Sequence, residues 1–377
     1  MTAAGAGDDR PGAVVCGTRF GRIYLRALGL PASPYRLRGV VARGSERSRA
    51  CAEYYGVPLY HEVDDVPGDV ELACVVVGSG LAGGPGAALA ERFLDRGMHV
   101  LQEHPLHPDE LACCLRAAHR EGVTYHVDTL FVHVEPVRRF VASARRLLAR
   151  QQAIFVEATC AYQVLYTLLD VLGAALGGLR VRALSVTPPE PSPFRTVKGE
   201  LAGVPFAVRV QHELDPGQPD NHAHLLHRIT IGTEGGQLTL VNTHGPVVWS
   251  PRPHLPAEPA NAVRLGDSPA PHLDLPSARV IGSADAPSYR QAVDTLWPEA
   301  ILRAVSALRD EDGRAHGQRQ LRLARFAREV NELLGPVRLV RRPDPTVLGA
   351  EAVLPYAEAN PAREGHASSG RAARVAP

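Results

Sequence analysis

The chain has 377 residues, 45% of them hydrophobic and 21% charged, with a formal net charge of +1. That length suits two domains with sizeable cores, and the near-neutral balance argues against a nucleic-acid partner, which calls for a basic excess. No apolar run reaches the ~18–20 residues that cross a bilayer, and the opening MTAAGAGDDRPG is acidic where a secretory signal is apolar, so no membrane partner and a cytoplasmic location are expected.

Residues 1–10 and 344–377 are rich in small residues, proline and charge and read as tails. Between them the first part alternates two kinds of segment. Apolar runs at 13–17, 37–42, 70–77, 98–102 and 124–131 predict strands, and amphipathic stretches at 22–30, 47–55, 85–96 and 108–121 predict helices. Such alternation implies a parallel sheet covered on both faces. After about residue 150 the pattern changes. A strand at 154–159 and a helix at 161–176 precede strand-like runs at 179–187, 204–213, 225–232, 237–243 and 246–250, with few helices between them. A Pro-rich loop at 251–276 and helices at 288–309 and 317–334 complete the chain. The expected fold is α/β: a Rossmann parallel sheet over 11–133, an α+β domain on a mostly antiparallel sheet over 134–343, and a tail over 344–377.

The six cysteines, at 16, 51, 74, 113, 114 and 160, form no C-x-x-C pair, so no disulfide framework is expected. The 16 histidines include no tight ligand set, and no metal site is predicted.

A dinucleotide site needs a strand, a tight glycine turn and a helix N-terminus aimed at the pyrophosphate. The run Cys16-Gly17-Thr18-Arg19-Phe20-Gly21 has that context, although Cys16 and Thr18 stand where the first two glycines of G-x-G-x-x-G belong. At the end of the second strand an NAD enzyme carries Asp or Glu for the ribose 2′-OH. This chain has Ala42-Arg43-Gly44-Ser45, with Ser48 and Arg49 following. A guanidinium and hydroxyls suit a 2′-phosphate, which predicts NADPH as cofactor. After the strand ending at Val77, Gly78 and Ser79 begin a glycine-rich loop that lets backbone approach the ribose and nicotinamide.

At Gly97-Met98-His99-Val100-Leu101-Gln102-Glu103-His104-Pro105 the sequence is similar to the glucose-fructose oxidoreductase and inositol dehydrogenase superfamily, whose motif G-x-x-V-x-x-E-K-P ends a Rossmann strand. His104 replaces the lysine, and the helix motif H-x-x-D stands as Thr167-Leu168-Leu169-Asp170. Losing Lys and His argues against oxidation of a sugar hydroxyl, which needs a base. The run Gln102–Glu110 (QEHPLHPDE), with Val127–His133 and Leu165–Asp170, resembles the narrower branch of thiazolinyl imine reductases. That resemblance implies NADPH-dependent reduction of a thiazoline C=N bond to a thiazolidine during siderophore assembly. It also implies a substrate tethered to a peptidyl-carrier domain of a nonribosomal peptide synthetase. Hydride goes to the imine carbon and a proton to the ring nitrogen.

His104 is the expected donor, with Glu103, Tyr166 and Asp170 as further catalytic candidates. The branch has a tyrosine near His133 where this chain has Phe131, which leaves open whether Tyr166 or Asp128 substitutes. The cofactor contacts expected are Gly17, Thr18, Arg19, Phe20, Arg43, Gly44, Ser45, Ser48, Gly78, Ser79, Glu103 and His104. Two alternatives stay open: an NADP-dependent sugar or cyclic-alcohol dehydrogenase with His104 as base, and a non-catalytic NADP-binding sensor. Pairing of open sheet faces predicts a homodimer.

Overall fold

A computed structural model of the chain describes residues 9–78, 80, 83–188, 191–255, 264, 268, 270–310 and 313–352. The first sheet contains β1 (Gly12–Cys16), β2 (Arg36–Val41), β3 (Leu59–Tyr60), β4 (Val70–Val75), β5 (His99–Glu103) and β6 (Tyr125–Asp128). Its order is β3-β2-β1-β4-β5-β6, with every pair parallel. The helices between are α1 (Gly21–Leu28), α2 (Glu46–Tyr55), α3 (Pro85–Asp95) and α4 (Pro108–Glu121). Strand β1 is buried at all five positions, as a central strand covered on both faces must be. The chain reverses its direction across the sheet between β1 and β4, which opens a crevice at their C-terminal ends.

Helix α5 (Glu135–Leu148) follows, in a stretch for which the sequence analysis predicts no element. Its buried Val137, Phe140, Val141 and Ala144 recur at helical spacing, and it enters through Pro136. The second sheet holds β7 (Ala153–Ala161), β8 (Val181–Val186), β9 (Phe194–Leu201), β10 (Val204–Gln211), β12 (His227–Thr233), β13 (Gly236–Leu240), β14 (Val247–Pro251) and β15 (Arg279–Ile281). Its order is β15-β14-β13-β12-β7-β10-β9-β8, antiparallel except where β10 lies parallel to β7. Helix α6 (Leu165–Leu176) is buried from Leu165 through Ala175. Alternation along β7 turns Val156, Ala158 and Cys160 into the core and leaves Glu157 exposed.

The late helical run is not one uniform helix. Ser288 caps a short α7 (Tyr289–Gln291), a π-helical turn spans Ala292–Leu296, and α8 (Trp297–Asp310) continues from it. Helix α8 packs on α1 and the end of β6, while α9 (Gly313–Leu334) packs on α4, α6 and β6. The C-terminal helices thus return to the first domain. Phe326 of α9 also sets its ring edge-on against Phe206 of β10, 6.4 Å between centroids. Beyond α9 the chain is tied down. The short strand β16 (Arg338–Leu339) pairs with β11 (Glu213–Leu214), and Arg338 and Arg342 both reach the buried Glu213 carboxylate. The predicted tail at 353–377, the N-terminal residues 1–8 and much of the predicted 251–276 loop lie outside the described residues. No described helix is long and apolar enough to cross a membrane.

Phe326 is 2% exposed and seals the contact between the returning helix and the second sheet. Phe326→Ala is expected to cost about 3–5 kcal/mol of stability through cavity formation, read as a lowered urea midpoint.

Candidate active site

The C-terminal ends of β1, β2, β4, β5 and β6 form one edge, and almost every residue singled out in the first domain lies along it. Gly17 leaves β1 with φ 96°, and a Cβ there would collide with the Val76 carbonyl oxygen. Only glycine allows that approach. Gly21 opens α1 close to the sheet, where a Cβ would stand 3.3 Å from Val15 Cγ1. The first turn of α1 carries no acidic residue, so its partial positive charge is available to a pyrophosphate. Thr18 is buried, Arg19 is exposed and ion-paired with Asp220 at 3.1 Å, and Phe20 lies against Tyr24 and Trp297.

At the tip of β2, Arg43 is exposed and has no hydrogen bond or ion pair with the described residues. Gly44 turns with φ 87° and Ser45 caps α2, its hydroxyl accepting from Ser48 N at 3.3 Å. Ser48, expected among the cofactor contacts, is fully buried and donates its hydroxyl to Ser45 O at 2.8 Å. It closes the helix start and does not face the edge. The His61 ring, which the sequence analysis did not single out, lies beside Gly44, 3.0 Å from where a Cβ would stand. Gly78 follows β4 at the edge, whereas Ser79 lies outside the described residues. Glu110 of α4 steadies the glycine loop by accepting from Gly84 N at 3.1 Å.

The chemistry-bearing groups gather where β5 meets β6. Glu103 pairs in register with Asp128, and the His104–Pro105 bond is cis. The Asp128 carbonyl accepts from His104 N at 3.2 Å and from His104 Nδ1 at 2.9 Å. A carbonyl only accepts, so Nδ1 carries the proton and Nε2 is the free lone pair. Burial draws the His104 pKa below its ordinary value, opposed by the Asp128 bond and by the Asp128 and Asp170 carboxylates. The resting ring is therefore neutral at pH 7. Tyr166 stacks on it, centroids 5.6 Å apart and planes 20° from parallel. The Tyr166 hydroxyl is buried with no hydrogen-bond partner among the described residues, and burial, then Asp170, raises its pKa.

Glu103 is pushed up to about 8, first by burial and then by Asp128 and Asp220. Its carboxyl group therefore holds a proton at neutral pH. Asp128 is 1% exposed; its carboxylate accepts from the Tyr24 hydroxyl at 2.6 Å and from Leu130 N at 2.7 Å. The backbone then makes a γ-turn, Phe131 N to Thr129 O at 2.5 Å, with Leu130 at φ 52°. That conformation is strained for a side-chain-bearing residue, at about 1–3 kcal/mol, and it sets Phe131 edge-on to His227 and Trp297.

Asp170, expected as a catalytic candidate, is fully buried, ion-paired with Arg319 of α9 and accepting from Thr129 Oγ1 at 2.6 Å. This makes it a positioning carboxylate that ties α6 and α9 to the end of β6. Thr167, standing for the superfamily's histidine, donates to Val164 O at 2.8 Å. His227 of β12 fills in beside it, with Nε2 2.9 Å from Thr167 Oγ1 and Nδ1 3.1 Å from Thr243 Oγ1. Burial brings His227 down to about 4, so it is neutral.

Trp297, Arg319, Asp220 and His227 were not singled out as site residues in the sequence. Only Arg319 left a trace there: a carboxylate on the otherwise apolar α6 demands a buried cation. Among the described residues no cluster of three or more His, Cys, Asp or Glu side chains suits a metal ion.

Residues 12–129 match the family model described as the oxidoreductase family, NAD-binding Rossmann fold, GFO/IDH/MocA. Residues 151–250 match the model described as thiazolinyl imine reductase Irp3-like, C-terminal, and the two matches together span more than half of the chain. The chain thus carries a Rossmann domain of the GFO/IDH/MocA oxidoreductase family and a second domain of the thiazolinyl imine reductase Irp3-like type. It is an NAD(P)-dependent oxidoreductase. Comparison with curated protein sequences gives no match.

Among solved structures, it is similar to an Agrobacterium radiobacter oxidoreductase in complex with NAD+, L-tartaric acid and magnesium. That pair shares 11% identity with a TM-score of 0.61, over 84% of this chain and 94% of that one. A 3-ketoreductase from Actinomadura kijaniata, KijD10, in complex with NADP is 16% identical with a TM-score of 0.61, over 88% and 100%. GenD2 from gentamicin A biosynthesis, in complex with NAD, is 16% identical with a TM-score of 0.58, over 87% and 95%. At these identities the likeness is one of fold. The glycine cradle at Gly17, the open N-terminus of α1 and the unpaired Arg43 fit a dinucleotide bound along the edge.

Because Glu103 titrates near 8 when folded and near 4.5 when free, it binds its proton more tightly in the folded chain. The stability this contributes is complete below about 4.5 and is lost as pH rises to about 8. Unfolding free energy measured from pH 5 to 8 is expected to fall with a slope that Glu103→Gln makes shallower by up to one proton.

Proposed function

We propose that this enzyme uses NADPH to reduce the C=N bond of a thiazoline to a thiazolidine. The observation that carries this is the Irp3-like match of residues 151–250, the domain that faces His104 through Tyr166 and His227. A bound dihydronicotinamide supplies the hydride, which goes to the imine carbon while the C=N electron pair passes to the ring nitrogen. That nitrogen then needs a proton, and Nε2 of His104 is the ring nitrogen without a partner among the described residues. His104 donates as the imidazolium, held by the Asp128 carbonyl and favoured by the nearby Asp128 and Asp170 carboxylates. The ring takes its next proton from water, since Glu103, which holds its own proton up to about 8, is the weaker acid.

Phe131, Trp297 and Phe20 present ring faces and edges that exclude water from such a site. The substrate is proposed to arrive as a thioester on a peptidyl-carrier domain of a nonribosomal peptide synthetase in siderophore assembly, in the cytoplasm. A homodimer is proposed through the helix-free face of the second sheet, where Glu157, Arg209 and Arg228 are exposed on adjacent strands.

One observation favours a second reading. A neutral His104 with a free Nε2 lone pair is also a base, as oxidation of a cyclic alcohol by NADP requires. Product analysis separates the two. Consumption of NADPH with a thiazoline thioester and formation of a thiazolidine supports imine reduction. Formation of NADPH from NADP and a polyol, with no turnover of the thiazoline, removes it.

With a thiazoline substrate, His104→Asn is expected to lower kcat by about 10²–10⁴-fold with NADPH affinity nearly unchanged. The parent kcat should decline with rising pH from below 6.5, where the imidazolium is lost. A break near 8 instead would transfer the acid role to Glu103. Arg43→Gln is expected to raise KM for NADPH by about tenfold or more through loss of a charge-assisted contact, leaving KM for NADH unchanged. Equal effects on both cofactors would remove the 2′-phosphate assignment.

A further inference from the structure

A cavity of about 640 Å³ opens between α5, α6, α9 and the end of β6. Its walls include Thr129 and Asp170 but neither His104, Tyr166 nor any residue of the glycine turns, so it is separate from the cofactor edge. Three guanidinium groups line it, Arg138 and Arg145 from α5 and Arg319 from α9, together with His133 and His316. Among the described residues the only lining carboxylate, Asp170, is already engaged by Arg319 and Thr129. Arg138 shares Glu135 at 3.5 Å, at the rim. Arg145 has no carboxylate partner among the described residues: its Nε donates to Ala174 O at 2.8 Å, and its other N–H groups are left for something else.

A second, independent feature points into the same space. Gln320 is 2% exposed and lines the cavity, yet its carboxamide makes no hydrogen bond with the described residues, and its Oε1 is buried without a partner. Buried amides are normally paired, because an orphaned one loses its water without compensation. This amide offers one donor and one acceptor end beside an unneutralised guanidinium. A hydrogen phosphate group matches both, since its anionic oxygens accept from Arg145 and the amide N–H while its P–OH donates to the amide oxygen.

We propose that this cavity is a binding site for a phosphate-bearing small molecule, distinct from the NAD(P) site and independent of the imine reduction. The volume is of the size that holds a metabolite rather than a lone ion. The ligand shares Arg319 with Asp170, which stands one helical turn beyond the Tyr166 that stacks on His104.

Isothermal titration of the full chain, saturated with NADP so that its own phosphate contacts are filled, tests this with inorganic phosphate and with citrate at matched ionic strength. Saturable one-to-one binding of phosphate is expected, weakened about tenfold in Arg145→Gln by loss of a charge-assisted contact. Gln320→Leu is expected to weaken it as well, while melting no lower than the parent in phosphate-free buffer, because it removes an unpaired buried amide. NADP affinity should be unchanged in both, which reports that the variants are folded. Absence of saturable phosphate binding, equal binding in Arg145→Gln, or tighter binding of citrate than of phosphate overturns the proposal.

Discussion

One residue at the end of an edge strand organises this site. Asp128 uses its carbonyl to receive both N–H groups of His104, and its carboxylate to receive the Tyr24 hydroxyl from α1 and the Leu130 amide. Four elements are thereby referenced to one peptide unit: β5, β6, α1 and the strained turn leading to Phe131. The arrangement also fixes chemistry. A carbonyl at Nδ1 decides the tautomer, so it decides that Nε2 is the nitrogen left for the proposed substrate. Replacing the superfamily's lysine by His104 therefore changes more than charge. A flexible ammonium with three donors becomes a planar group with one reactive atom in one direction.

The second domain completes what the Rossmann edge begins. Asp170, separated from β6 by α5 and β7, is fully buried and met there by Arg319, which returns from the last long helix. Its bond to Thr129 carries that pairing to the residue after Asp128. Asp220, on a loop of the second domain, approaches from the other side, pairing with Arg19 and raising Glu103 further. The site is thus surrounded by carboxylates, one of which keeps its proton. That environment lowers the cost of the imidazolium, which burial otherwise disfavours.

Much of the first domain is legible in the sequence because its physics is local. Continuous apolar runs ending at glycine are what a buried parallel strand and its phosphate turn require, and helix α4 is predicted with the bounds observed, since Pro108 and Gly122 punctuate it. Strand β6 stops at Asp128, three residues short of the predicted end, because the carboxylate of Asp128 bends the chain rather than any turn residue. Helix α5 has a readable apolar stripe, but no side-chain cap at its start and a face charged with arginines, which hide it in the sequence. Strand β9 escaped because Gly199 and Glu200 interrupt its alternation, and its hairpin turn is Ala202-Gly203 rather than Asn-Gly. Of the groups that complete the site, the sequence hints only at Arg319, through the carboxylate on α6. Trp297, Arg319 and His227 arrive from elements far apart in the chain, and only the tertiary fold brings them together.

Two positions depart from the patterns the chain resembles, Thr167 from the sugar oxidisers' histidine and Phe131 from the imine reductases' tyrosine, and each has a neighbour that fills the space. Thr167 gives up an imidazole on α6, and His227 supplies one from the sheet, but with both ring nitrogens engaged and its pKa drawn down to about 4. It fills the space without offering a base. Phe131 gives up a phenol, and Trp297 closes on it with its indole N–H already committed to His244 at 3.0 Å. Each replacement keeps the volume and removes a free proton-exchanging atom. Among the described residues, what remains is Nε2 of His104 and the unpartnered hydroxyl of the Tyr166 that stacks on it, with Glu103, the preceding residue, holding its proton to about 8. One imidazole nitrogen serves the single proton of the proposed imine reduction and equally that of an alcohol oxidation. The aromatic walls around it favour a flat ring, as in the proposed reaction, over a polyhydroxylated one.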